Sequence, residues 1–127
     1  MKKILVADDE PDQRRLVKLI LRKYDCKVIE AQTGLEAIEQ AKKEVPDLIL
    51  IDHLMPEMQG YEAIQVIRKE EALKKIPIIM FTSKKFDAGF KDWVRQEVAG
   101  FIEKPLSGSR LIPVVEQALG ALRIHGV

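Results

Sequence analysis

The sequence predicts an α/β domain built on a doubly wound parallel sheet. Two observations carry this expectation: five short apolar runs alternate with longer stretches at helical spacing, and acidic, hydroxyl and basic residues gather directly after those runs. Each strand followed by a helix implies right-handed crossovers that place helices on both faces. At 127 residues the chain has the size of one ordinary domain, with a core large enough to need no disulfide or metal staple. It carries no linker, internal repeat or low-complexity segment, so residues 1–127 read as a single domain.

The elements follow in order. Ile4-Leu5-Val6-Ala7 is a continuous apolar run suited to a strand buried on both faces. Pro11 stands where a first helical turn tolerates proline. Leu16, Leu19 and Ile20 then form the inward side of a helix, with Arg14, Arg15, Lys18 and Arg22 on the other side. Residues 27–31 make the second strand. Thr33 and Glu36 have the spacing of a capping box, opening a helix that turns Leu35, Ile38 and Ala41 inward. Leu48-Ile49-Leu50-Ile51 is the most apolar strand and ends at Asp52. A turn with Met55, Pro56 and Gly60 leads to a helix carrying Ala63, Ile64 and Ile67. Ile76 to Phe81 is the fourth strand, with Pro77 near its start. A helix over Asp87–Val98, a short strand at Phe101-Ile102-Glu103 and a helix over Ser109–Leu122 complete the chain. Pro113 is expected near the first turn of that last helix.

Composition narrows the function. Hydrophobic residues make up 46% and charged residues 32%, a globular balance. A formal charge of +1 supplies no electrostatic footprint for nucleic acid or an anionic membrane, so neither is expected as a direct partner. The single cysteine, Cys26, forms no internal disulfide and fits a reducing compartment as a small strand residue. The opening MKKILVADDE turns acidic too soon for a signal peptide, and no apolar run approaches a membrane span. The expectation is a soluble, cytoplasmic protein.

In a doubly wound sheet the residues just after each strand lie along one edge, where ligands bind at the point of reversed strand order. Here those residues are Asp8, Asp9 and Glu10 after the first strand, Asp52 after the third, Thr82 and Ser83 after the fourth, and Lys104 and Pro105 after the fifth. Taken singly, each has an ordinary explanation: a solvated acidic loop, a turn residue, a Lys-Pro turn. If the first and third strands are neighbours, the carboxylates crowd into one cleft and repel one another unless a cation relieves them. Mg2+ suits such a site, because it takes carboxylate oxygens together with phosphate. A carboxylate nucleophile, a metal, the Lys104 ammonium and the Thr82 hydroxyl are the parts that phosphoryl transfer onto an aspartate requires.

The motifs ILVADDE, LILIDHLMPEMQG, PIIMFTS and GFIEKP, in this order, resemble the receiver domain of bacterial two-component response regulators, and the resemblance covers essentially the whole chain. It implies a flavodoxin-like, doubly wound five-stranded parallel sheet in the order 2-1-3-4-5 with five helices. It implies that Asp52 is the phosphoacceptor and that Asp8, Asp9, Asp52 and the backbone carbonyl of His53 hold Mg2+. Thr82 would be the switch hydroxyl, Phe101 the switch aromatic and Lys104 the contact to the phosphoryl group. Pro105 would follow a cis peptide bond that aims Lys104 into the cleft. The implied partners are a histidine kinase or histidine phosphotransfer protein as donor, or a small donor such as acetyl phosphate. A downstream effector protein or domain would read the face formed by the fourth helix, fifth strand and fifth helix.

Some positions depart from the family pattern. Glu97 stands where a glycine often ends the fourth helix, so that helix is expected to end differently. Phe86, Phe90 and Trp93 load the same helix with aromatics, read either as core or as a partner surface. By the resemblance, Leu54 and Lys84 flank the phosphorylation site. Leu54 gives a nucleophilic water no hydrogen bond, so slow self-dephosphorylation is expected. Arg14, Arg15 and Lys18 form either a kinase-docking surface or a solvated helix face. His125 is expected in a frayed tail.

The competing class is an aspartate-based phosphatase or phosphotransferase on a similar sheet. Enzymes resembling the haloacid-dehalogenase family carry their nucleophile after the first strand in a DxDxT pattern, where this chain reads DDEP. A flavin or nucleotide binder would want a Ser/Thr/Gly-rich phosphate loop at that position. A phosphorylation-independent interaction module would not need the full set of site residues. The expectation is a phosphoacceptor signalling domain that promotes only its own phosphorylation and dephosphorylation.

Overall fold

The structure, a computed structural model, describes residues 1–83 and 88–125, with the side chains of residues 82, 88, 90, 91, 93 and 94 outside that description. Strands and helices alternate along the chain as β1 (Lys2–Ala7), α1 (Pro11–Leu21), β2 (Cys26–Ala31), α2 (Gly34–Glu44) and β3 (Leu48–Asp52), followed by α3 (Gly60–Lys69), β4 (Ile78–Thr82), α4 (Ala88–Glu97), β5 (Gly100–Glu103) and α5 (Gly108–Leu119). The five strands form one parallel sheet in the order β2-β1-β3-β4-β5. This is the expected strand order and helix count.

The unbroken apolar character of the central strands follows from burial on both faces. Leu5, Ala7, Ile49, Ile51, Ile78 and Met80 point into one core with Ala37, Ile38 and Ala41 of α2 and Ala63, Ile64 and Ile67 of α3. Their alternates, Ile4, Val6, Leu48, Leu50, Ile79 and Phe81, point the other way, onto Val17 and Leu21 of α1 and Leu111 and Val115 of α5. All five residues of β3 are buried.

The register positions the functional edge. Ala7 pairs with both Ala31 and Ile51, Asp52 with Phe81, and Thr82 with Glu103. Asp8 therefore leaves β1 level with Asp52 at the end of β3. The order reverses between these two strands, since β1 leads back to β2 and β3 leads on to β4.

Several local expectations are corrected. On α1 the buried residues are Arg14, Val17 and Leu21, while Leu19 is exposed and Leu16 and Ile20 only half-buried. The sequence offers two apolar stripes, 16/20 and 17/21, and docking on the sheet selects the second. That rotation turns Arg14 inward instead of into solvent. On α2 the Thr33 hydroxyl accepts from the Glu36 N–H at 3.0 Å, but Leu35 is exposed and Ala37 takes the inward place. β4 begins at Ile78, because Pro77 has no N–H to donate; its carbonyl still accepts from Ile49.

α5 runs from Gly108 to Leu119 and contains Pro113 in its second turn. Gly120, at φ 83°, stops it three residues short of the expected end. α4 ends at Glu97 without a left-handed residue there; Arg68 instead donates to the Glu97 carbonyl at 2.9 Å.

The tail is not frayed up to His125. The Asp25 N–H donates to the Arg123 carbonyl at 2.6 Å, the His125 N–H donates to Lys23 at 2.8 Å, and Tyr24 and Ile124 form an antiparallel bridge. Cys26 is half-buried in β2. Among the described residues, no helix is long and apolar enough to cross a membrane.

Candidate functional site

The site forms where three strand ends converge. Asp8 is fully buried and its four polar groups are all engaged. Its N–H donates to Ala31 at 3.0 Å and its carbonyl accepts from Arg14 at 2.7 Å. One carboxylate oxygen accepts from the Glu10 N–H at 2.9 Å and the other from Lys104 at 3.1 Å. Asp52, 2% exposed, accepts from the Leu54 N–H at 3.2 Å and from Lys104 Nζ at 3.2 Å. Lys104 also reaches Glu10 at 3.4 Å and stands 5.5 Å from the centre of the Phe81 ring. The Lys104–Pro105 peptide bond is cis.

Among the described residues, the Lys104 ammonium thus faces a cluster of carboxylates. Asp8, Asp9, Glu10 and Asp52 each offer an oxygen, and these four atoms lie within 4.8 Å of one another. Asp9 and Glu10 are on the exposed side of the cleft, Asp8 and Asp52 on its floor. An all-oxygen, multiply anionic donor set of this kind fits a hard divalent cation. The His53 carbonyl, next to Asp52, accepts from the Gly60 N–H at 2.8 Å. Gly60 is glycine because of close approach: a Cβ there would lie 2.6 Å from the Asp52 carbonyl oxygen and 2.8 Å from His53 Cα. The Glu62 carboxylate accepts from the Gln59 N–H at 3.2 Å and so caps α3 directly behind the loop.

The electrostatics reflect this crowding. Burial, reinforced by the Asp8 charge, pushes the Asp52 carboxyl up to about 6 despite Lys104 and the Leu54 N–H. Burial also raises Asp8, against the Glu10 N–H and Lys104. For Lys104 burial works against the charged form, but Asp52 and Asp8 outweigh it and hold the ammonium above the ordinary lysine value.

Of the residues singled out in the sequence, Asp8, Asp9, Asp52 and Lys104 come together in this cleft, with His53 and Pro105 beside them. Phe101 is half-buried and packs against the α2/α3 core, its backbone paired with Met80. The Thr82 backbone ends β4, while its hydroxyl lies outside the described residues, as do Lys84, Phe86 and the side chains of Phe90 and Trp93. Leu54 is part-exposed at the rim.

Sequence reasoning missed Arg14. Its position four residues after Glu10, in the first turns of α1, was the available signal, because helical side chains lean back toward the N-terminus.

Fold and cleft together define a doubly wound α/β domain with an acidic cleft at its switch point, and the comparisons supply the family. The chain belongs to the response regulator receiver domain family, whose model matches residues 4–116. Protein PilG of Pseudomonas aeruginosa is 32% identical over 126 residues, covering 97% of this chain and 86% of PilG. Sensor histidine kinase CheAY of Helicobacter pylori is 32% identical over 118 residues, which are 91% of this chain but 15% of CheAY. Among solved structures, chemotaxis protein CheY4 of Vibrio cholerae superposes with a TM-score of 0.85 at 28% identity, covering 93% of this chain and 98% of that one. This chain is a receiver domain of two-component signal transduction.

Proposed function

We propose that Asp52 accepts a phosphoryl group from a phosphohistidine on a histidine kinase or histidine phosphotransfer protein, with Mg2+ held by Asp8, Asp9, Asp52 and the His53 backbone carbonyl. The observation that carries this reading is the buried Asp52 carboxylate within 3.2 Å of Lys104 and inside a four-carboxylate cluster. A carbonyl oxygen has two lone pairs, so the bond from Gly60 is compatible with a ligand role for His53.

An Asp52 carboxylate oxygen attacks phosphorus in line, the P–N bond to the donor imidazole breaks, and the imidazole leaves. When bound, the metal neutralises charge on the transferring oxygens. Lys104 exchanges its carboxylate partners for a phosphoryl oxygen, and the Thr82 hydroxyl donates to another. Movement of Thr82 makes room for Phe101 to turn inward. The face of α4, β5 and α5 then changes shape for a downstream effector protein or domain. This cycle belongs to a cytoplasmic signalling protein, and the nucleophile stands after β3, not after β1 as in the phosphatase alternative.

The test is incubation with acetyl phosphate and Mg2+ followed by intact mass measurement. Wild type is expected to gain one phosphoryl group and Asp52→Asn none. Equal labelling of both proteins, or no labelling of wild type, overturns the proposal.

A further inference from the structure

Arg14 is 8% exposed, an unusual placement for a guanidinium, and both ends of its fork are used. Nη1 donates to the Asp8 carbonyl at 2.7 Å, in a buried bond, and Nε donates to Glu30 at 3.1 Å. Glu30 belongs to β2 and is also held by Lys18 at 3.3 Å. The next residue, Ala31, accepts the Asp8 N–H. The peptide planes on both sides of Asp8 are therefore anchored to β2, one directly and one through Arg14. The second plane leads into Asp9.

We infer that Arg14 is a positioning residue for the Asp8–Asp9 pair: by fixing the Asp8 carbonyl against Glu30 of β2, it sets the direction in which both carboxylates enter the cleft. This rests on the reading of the cleft as a divalent-cation site. It does not follow from charge. A guanidinium close to a cation site repels the cation, so removing it should tighten binding if Arg14 acted only through its field. A positioning role predicts the opposite sign, because the carboxylates lose their common orientation. Groups behind a metal's ligands commonly govern affinity by factors of about 10–100 when they are removed.

The test is a Mg2+ titration of the full chain, followed by NMR shifts of the Asp9 and His53 amides, on wild type, Arg14→Met and Arg14→Lys. Thermal midpoints are measured alongside in metal-free buffer. Arg14→Met is expected to raise the Kd for Mg2+ by about 10-fold. Arg14→Lys, which keeps the charge but loses the two-ended fork, is expected to fall between Met and wild type. A Kd unchanged within twofold, or lowered, in Arg14→Met overturns the inference, whatever happens to the thermal midpoint. Should that variant not fold, the decision passes to Arg14→Lys and Glu30→Gln, and an unchanged Kd in both overturns it. Wild type failing to bind Mg2+ is a different result, since it removes the proposed cation site itself.

Discussion

Asp52 illustrates how a single residue trades stability for chemistry. Its pKa stands at about 6 in the folded protein against 3.8 for an ordinary aspartate, with burial the larger cause and Asp8 the second. The native state therefore holds this proton more tightly than the unfolded chain does. The stability it contributes is fully present below about pH 4 and is lost as pH rises through about 6. A displacement of this size corresponds to on the order of 3 kcal/mol. Asp52→Asn is accordingly expected to be more stable than wild type at pH 7–8 in chelator, with the difference shrinking toward pH 4. Urea denaturation at several pH values measures it, and a variant no more stable than wild type at pH 8 contradicts the account. Adding Mg2+ is expected to close the gap at neutral pH by stabilising wild type alone, through preferential binding to the folded state. At this scale the sequence is informative about the site: Asp8, Asp9, Asp52 and Lys104 each stand within two residues of the end of an apolar run. Arg14 is legible only in part: its place in the first turns of α1 brings it near the loop, but whether it meets solvent or a carbonyl depends on the rotation of the helix.

Among the elements, the two ends of α2 contrast. Its N-terminus is capped by Thr33, as the sequence pattern indicates. Its C-cap, Val45, adopts φ 44° and ψ 68°, a left-handed conformation that a β-branched side chain tolerates poorly, and Pro46 follows it. The side chain is half-exposed and contributes little packing. Val45→Gly is therefore expected to stabilise the domain by about 1 kcal/mol, since the left-handed penalty for an L-residue is about 1–2 kcal/mol. The check is a higher urea midpoint with an unchanged denaturant slope. An equal or lower midpoint would show that Val45 makes compensating contacts. Helical periodicity identifies each helix but leaves the inward stripe undecided by one residue when two apolar stripes adjoin, as at 16/20 and 17/21 on α1. Leu35 shows the same ambiguity on α2. Strands give no such freedom here, because those of the sheet centre are apolar on both faces.

For the whole molecule, parallel topology follows from the strand–helix alternation, and the order β2-β1-β3-β4-β5 is reached through the family resemblance. What neither reveals is the C-terminal strap. Residues 123–125 pair with the turn between α1 and β2 through backbone groups, and backbone pairing of this kind leaves no side-chain signature. Deleting residues 123–127 is expected to lower stability by roughly 1–2 kcal/mol, the net worth of two backbone hydrogen bonds. Hydrogen exchange at the Asp25 amide would accelerate as well. Unchanged protection there would mean that the strap is dispensable.

Lys104 closes its contacts across 96 residues to Asp8, 94 to Glu10 and 52 to Asp52. During synthesis on the ribosome, the acidic loop and Asp52 emerge long before Lys104, the one ammonium seen on them among the described residues. A nascent chain carrying β1 through β3 would have to draw those carboxylates together without the Lys104 ammonium, with the Arg14 guanidinium engaged on the Asp8 carbonyl behind them. The cleft is thus completed only once β5 has been made, and a divalent ion bound as proposed would stand in for the missing lysine until translation reaches it.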